Sequence, residues 1–142
     1  MMKNIFIDTN ILIDFLADRR PFSLDAAKLF DFAINEKITV HVSAISYNNI
    51  YYILRKSLSD NSAIRLLEEL QEMTVIADVT GKIIRRSLKA GFKDYEDAIQ
   101  YFCALSIPGI DCIVTRNSKD FKKSALAIMT PAEAIIALAG NL

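Results

Sequence analysis

Histidine occurs once in the 142 residues, cysteine twice, and the charges cancel, with 17 Lys+Arg against 17 Asp+Glu. A lone His41 cannot build a histidine metal site, and in the apolar stretch Thr39-Val40-His41-Val42 it reads as a packed strand residue. Cys103 and Cys112 lie in apolar surroundings without a C-x-x-C spacing, which argues against structural zinc, haem attachment and a disulfide framework. No nucleophile elbow supports a Ser-His-Asp scheme. Zero net charge speaks against broad, unspecific nucleic-acid binding but leaves room for a local basic patch. Four glycines and three prolines are too little punctuation for long disordered segments. Asp14, Lys28 and Glu133 interrupt the richest apolar runs before they reach the roughly 18 to 20 residues of a bilayer span. The opening Met-Met-Lys-Asn-Ile-Phe-Ile-Asp turns acidic too early for a signal peptide. The expectation is a cytoplasmic protein without membrane association, forming one domain over residues 1–142.

What is present is 52% hydrophobic residues in a regular alternation. Short β-branched or aromatic runs alternate with stretches of helical period, the pattern of a parallel sheet covered on both faces. Strands are expected at Lys3 to Ile7, Ile38 to Val42, Thr74 to Ala77, Cys112 to Thr115 and Ala125 to Met129. Helices are expected at Thr9 to Asp18, from a Ser23 cap with Ala26, Ala27, Phe30 and Ile34 inward, and at Ser43 to Leu58. Further helices span Asp60 to Met73 with Ile64, Leu66, Leu67 and Leu70 inward, Thr80 to Ala90, and Asp94 to Ser106 with Ala98, Phe102 and Leu105 as one stripe. Gly91 is a C-terminal stop, and Pro131 opens a terminal helix. Ligands of open α/β sheets gather beyond the carboxyl ends of the strands, here marked by Asp8-Thr9-Asn10, Ser43, Asp78 and Thr115-Arg116-Asn117.

Each polar cluster has a plain reading beside a chemical one. Asp8 follows a buried-looking strand, where an ionised carboxylate is costly unless a cation or good donors receive it; it would equally cap the next helix. Asp94 and Asp97, three apart, share a helix face in the first turn, where the macrodipole favours anions, and they also read as a cap and its answering acid. Glu96 between them should project differently. Thr115 to Phe121 leaves a strand and becomes polar at once, either as a solvated loop or as a place where Arg116, Lys119 and Lys122 hold phosphates while Asn117 or Asp120 completes a carboxylate and amide cluster. Tyr47, Tyr51 and Tyr52 read mostly as core or interface residues, with stacking on a base as the less favoured alternative.

In combination, these segments resemble the PIN-domain family of metal-dependent ribonucleases. The resemblance is carried by Ile5-Phe6-Ile7-Asp8-Thr9-Asn10-Ile11-Leu12, by Val42-Ser43 leading into the third helix, by Asp94-Tyr95-Glu96-Asp97-Ala98-Ile99-Gln100, and by Ile113-Val114-Thr115-Arg116-Asn117 with Asp120-Phe121. It runs nearly end to end. It implies a three-layer α/β/α fold with a central, mostly parallel sheet of about five short strands, and acidic side chains that hold one or two Mg²⁺ or Mn²⁺ ions for RNA cleavage. Asp8 matches the first family acid and Asp97 the acid that opens the later helix; Asp120 falls in the final polar motif as a third acid, with Asp94 as a further carboxylate. Thr9, Asn10, Ser43, Thr115 and Asn117 would orient water and phosphate oxygens, and Arg116, Lys119 and Lys122 would position the RNA backbone.

One position departs from the family pattern. The third helix usually carries a glutamate about two turns after the serine, and the best match here is Asn49, preceded by Asn48. An amide oxygen can coordinate a hard cation but contributes no charge, so metal affinity should fall. Two functions follow: a ribonuclease, which the resemblance makes the toxin of a VapC-type toxin-antitoxin pair with an antitoxin partner and a homodimeric state, or a catalytically weak or inactive PIN-like module that binds RNA or a protein. A phosphoacceptor receiver would need an acid pair after the first strand and a lysine after the last, where Met129-Thr130-Pro131 stands. An aspartate-nucleophile phosphatase would need a second Asp where Asn10 stands.

Overall fold

Five short apolar runs pair into one sheet: β1 (Asn4–Ile7), β2 (Thr39–Ser43), β3 (Val75–Ala77), β4 (Cys112–Val114) and β5 (Ala127–Met129). The structure is a computed structural model and describes residues 2–121 and 124–140. Every pairing is parallel, in the order β3-β2-β1-β4-β5. Successive side chains of a strand point to opposite faces, and the core divides accordingly. Ile5, Ile7, Val40, Val42, Cys112 and Val114 belong to one apolar cluster, whereas Phe6 and Ile113 belong to the other.

Among the described residues, seven α-helices cover these faces: α1 (Thr9–Leu16), α2 (Phe22–Ile34), α3 (Ala44–Leu54), α4 (Asp60–Met73), α5 (Gly81–Lys89), α6 (Tyr95–Leu105) and α7 (Pro131–Ala139). α1, α2, α3, α4 and α7 contribute to the first cluster, and α5 and α6 to the second. The architecture is the expected three-layer α/β/α fold. Asp8, Ser43, Ser59, Thr80, Asp94 and Thr130 each cap the helix that follows by accepting a backbone N–H, and Glu133 closes a reciprocal box with Thr130. Gly91 lies just past α5 at φ +70°, where a residue without Cβ carries little strain, and Gly109 does the same at φ +75° after Pro108.

Some local expectations shift. Ser23 does not cap α2: the helix begins at Phe22, and the Ser23 hydroxyl donates to Asp18 Oδ1 at 2.7 Å. The buried stripe of α2 runs through Ala26, Leu29 and Phe30, leaving Ile34 exposed. On α4 the stripe centres on Ala63 and Leu70, and Ile64, one residue round the helix from Ala63, faces outward. α6 lies across the sheet with Ala98, Ile99, Gln100, Tyr101, Cys103 and Ala104 all buried, so it has an inner side much broader than a single stripe. α3 ends at Leu54, and five non-helical residues, Arg55 to Ser59, precede α4 rather than a longer helix. No helix among the described residues is long and apolar enough to cross a membrane.

Candidate active site

The chain runs from β1 outward through β2 to β3, then crosses to the other side of β1 to form β4 and β5. That reversal leaves a crevice at the carboxyl ends of β1 and β4, where open α/β sheets bind ligands. Asp8 directly follows β1 and Thr115 directly follows β4, and their side chains meet there.

Asp8 is only 5% exposed. Its Oδ1 accepts the Thr9 N–H at 2.8 Å and its Oδ2 accepts the Thr115 hydroxyl at 2.8 Å. Burial raises its pKa, the two hydrogen bonds pull it back, and the charges of Glu96 and Asp120 raise it further. The capping and the chemical readings of Asp8 therefore coexist, because a cap needs one carboxylate oxygen and leaves the second for another partner.

Asp97 sits half-buried in the first turn of α6. Its carboxyl is pushed up to about 7 by burial and then by the charges of Asp8, Asp94, Asp120 and Glu96. The charges of Glu96 and Asp120 thus bear on both Asp8 and Asp97, which brings the end of β1, the start of α6 and the 3-10 turn Ser118–Phe121 to one crevice. Asp120 is held there by Phe121, which is buried in the second apolar cluster, and by its own N–H donated to Asn117 O at 3.0 Å. Asp94 is the N-cap of α6, accepting the Asp97 N–H at 3.2 Å.

Several expected contact residues turn inward. Thr9 and Ser43 are buried, with the Thr9 hydroxyl 2.6 Å from Ser46 Oγ and the Ser43 hydroxyl accepting the Ile45 N–H at 3.1 Å. Both hydroxyls are therefore engaged within the protein. Thr115 is likewise buried, and its oxygen also accepts the Asn117 N–H at 3.1 Å. Arg116 is not a free phosphate ligand: its Nε lies 2.8 Å from Asp14 Oδ2, its Nη2 donates to Asp14 Oδ1 at 3.3 Å, and its guanidinium lies 4.1 Å over the Phe22 ring. Asp14, at 1% exposure, needs that partner more than any phosphate does. Asn10 is half-buried at the start of α1. Asn117, Lys119 and Asp120 are exposed and, with Arg116 and Ser118, line a cavity of about 330 Å³. Lys122 lies outside the described residues.

Two residues join the site unannounced by the sequence pattern. Glu96, exposed as its position between Asp94 and Asp97 suggests, has its Oε1 accept the Asn49 Nδ2 hydrogen at 2.9 Å, which ties α6 to α3. Gln100 is fully buried, and its Nε2 donates toward Thr9 Oγ1 at 3.2 Å and Ser46 Oγ at 3.1 Å. Its spacing of three from Asp97 on a helix was the available signal.

A hard divalent cation suits this donor set, which offers carboxylate and amide oxygens without sulfur or imidazole. The buried Gln100 Oε1 has no hydrogen-bond partner among the described residues. Among the described residues, however, no three acidic, histidine or cysteine side chains are already gathered tightly enough to enclose an ion. The acids form an open array. Neither cysteine competes as a nucleophile, since burial pushes the Cys103 thiol up to about 11 and the Cys112 thiol up to about 12.

A family model described as PIN domain matches residues 4–119. No match is found among curated proteins. Among solved structures, the DNA-bound VapBC of Salmonella typhimurium is similar at 20% identity and TM-score 0.67, over 92% of this chain and 99% of that one. A toxin-antitoxin complex from Klebsiella pneumoniae is similar at 24% identity and TM-score 0.64, over 89% of this chain and 97% of that one. Mycobacterium tuberculosis VapC20, described as a sarcin-ricin-loop-cleaving toxin, is similar at 14% identity and TM-score 0.60, over 77% of this chain and 86% of that one. These likenesses show a shared fold.

Proposed function

The chain belongs to the PIN-domain family, and from that membership we propose that it is a metal-dependent endoribonuclease that hydrolyses RNA phosphodiester bonds, acting as the toxin of a toxin-antitoxin pair. The observation that supports this reading is the convergence of Asp8, Asp97 and Asp120, from three elements distant in sequence, on the crevice beside β1 and β4.

The residues divide the work by position. Asp8 and Asp97, with Asp120 and secondarily Asp94, would hold Mg²⁺ or Mn²⁺ through carboxylate oxygens, and Asn49 lies on their rim. Bound there, the cation would supply positive charge against the scissile phosphate and make a water more acidic. Thr115 and the Thr9 N–H fix the Asp8 carboxylate so that it need not reorganise during the reaction. Asn117 and Asn10 would orient phosphate oxygens, and Lys119, which lines the cavity with Asn117, would meet the RNA backbone. Two unit charges about 4 Å apart repel by roughly 4 kcal/mol at an effective dielectric near 20, so crowded acids gain by accepting a cation.

An antitoxin partner and a homodimeric state belong to this reading. Tyr52 on α3 and Ile64 on α4 are exposed apolar side chains on neighbouring helices, of the kind an antitoxin segment or a second copy of the chain would cover. The free, buried thiols of Cys103 and Cys112 suit a reducing cytoplasm. The open array of acids favours one rival, a PIN module that binds RNA or a protein without cutting. Incubating partner-free protein with a mixed RNA pool and Mn²⁺ or Mg²⁺, against chelator and Asp97→Asn, separates the two. Metal-dependent cutting lost in the variant supports the nuclease; RNA binding that survives chelation without cutting supports the rival.

A further inference from the structure

We propose that the cavity between α1, the start of α2 and the start of α7 is a base pocket. It takes one unstacked base of a single-stranded RNA, beside the phosphate at the acidic crevice, and prefers a base with an exocyclic amino group. This rests on the RNA part of the reading above, whether or not the strand is cut, and deepens it.

The cavity holds about 300 Å³, the low end of small-ligand pockets at roughly 300 to 1,000 Å³, which suits one flat ring system and not a peptide helix. Its apolar wall is Ile11, Phe22, Pro131 and Ala132. Phe22 is 46% exposed, and the Arg116 guanidinium lies 4.1 Å over its ring. An aromatic ring and a guanidinium plane are the groups on which unstacked bases settle. The ion pair with Asp14 holds Arg116 there with its charge paired, so it serves as a plane and not as a phosphate clamp.

Two further observations say what enters. Arg116 and Asn117 line this cavity and also the one that contains Asp120, so the two are neighbours. A base lies one sugar away from its own phosphate, and a nucleotide whose phosphate meets Asn117 has this cavity within reach. The second observation is the carboxylates: Asp14 is held by Arg116, whereas half-buried Asp25 enters no ion pair among the described residues. A carboxylate only accepts, so it favours the amino groups of adenine, cytosine or guanine over uracil, whose exocyclic groups are both carbonyls. Thr130 Oγ1 accepts the Glu133 N–H at 3.2 Å and keeps its own O–H for an acceptor on the base.

The test is a short single-stranded RNA carrying one 2-aminopurine, whose fluorescence falls when the base stacks, titrated with the protein in chelator. Wild type should quench the probe saturably. Phe22→Leu, which keeps apolar bulk but removes the ring, should weaken this about tenfold, and Phe22→Tyr should preserve it. Unlabelled RNA with adenine at that position should compete several-fold better than the same strand with uracil, and Asp25→Asn should level the two. Melting checks that each variant is folded. In Mn²⁺ with a mixed RNA pool, Asp25→Asn should broaden the bases beside the cut to include uracil. Identical quenching and competition in wild type, Phe22→Leu and Asp25→Asn overturn the base pocket, and if all three still cut the pool the nuclease reading stands without it. A probe that is quenched as expected but a pool that is never cut supports the pocket and removes the nuclease. If wild type neither quenches the probe nor cuts the pool, both fall.

Discussion

The Thr115 hydroxyl donates to Asp8 Oδ2 at 2.8 Å across the seam between β1 and β4, joining residues 107 positions apart in sequence. The same oxygen accepts the Asn117 N–H, so one hydroxyl sets both the Asp8 carboxylate and the start of the loop that carries Asp120. Thr115→Val keeps the shape and removes the donor. It should cost about 1 to 2 kcal/mol in urea denaturation, the range for losing a hydrogen bond to a buried group. Cleavage should fall with it, because Asp8 loses the contact that favours its ionised form.

Asp8→Asn should separate stability from activity. The buried carboxylate is costly to ionise where it sits, and an amide would still accept the Thr9 N–H while donating to Thr115 Oγ1. Cleavage should be lost while the melting temperature is unchanged or higher, as happens when a strained functional group is neutralised. A variant that is inactive because it is unfolded, by circular dichroism, would overturn this account.

Asp97 gives the metal-free protein a pH dependence of definite sign. Its folded pKa is raised from 3.8 to about 7, so the native state binds its proton more tightly than the unfolded chain does. The resulting stabilisation is complete below pH 3.8 and is lost as pH rises through about 7. Buried Asp8 is shifted in the same direction. In chelator, the contribution of this site to the melting temperature should therefore fall between pH 4 and pH 8; Asp97→Asn should flatten that slope, and Mn²⁺ should restore stability at pH 8.

Arg116 and Lys119 should behave differently although both are basic and close in sequence. Arg116→Met leaves Asp14 buried with only Arg19, 3.8 Å away, and should cost about 3 kcal/mol in stability. Lys119→Gln touches an exposed side chain. It should leave the melting temperature unchanged and weaken RNA binding with a shallower salt dependence, by about one phosphate contact. Equal effects of both on RNA affinity, at equal stability, would sink the distinction.

The order of strands and helices was legible because period and strand-end residues are local signals. Asp8 and Asp94 read as caps by residue type, and each does cap a helix, whereas Ser23, read the same way, does not. Burial was harder to read. Ile34 and Ile64 are apolar yet exposed, since which side of a helix meets the sheet depends on its packing and not on the residue alone. The polar residues at strand ends divided in the same way: Thr9, Ser43 and Thr115 are buried, and Asn117 and Lys119 stayed outside.

The sequence by itself determined that short strands would alternate with helices, and that acids would stand where β1 ends and α6 begins, because these depend on neighbours within a turn or two of chain. Only the tertiary structure decided which groups meet. Asp14 claimed Arg116 from 102 residues away, and Asn49 drew in Glu96 across 47. Helical spacing describes one helix at a time. The partner on the facing helix is set by how the sheet places them both, and on that placement the charge of this site depends.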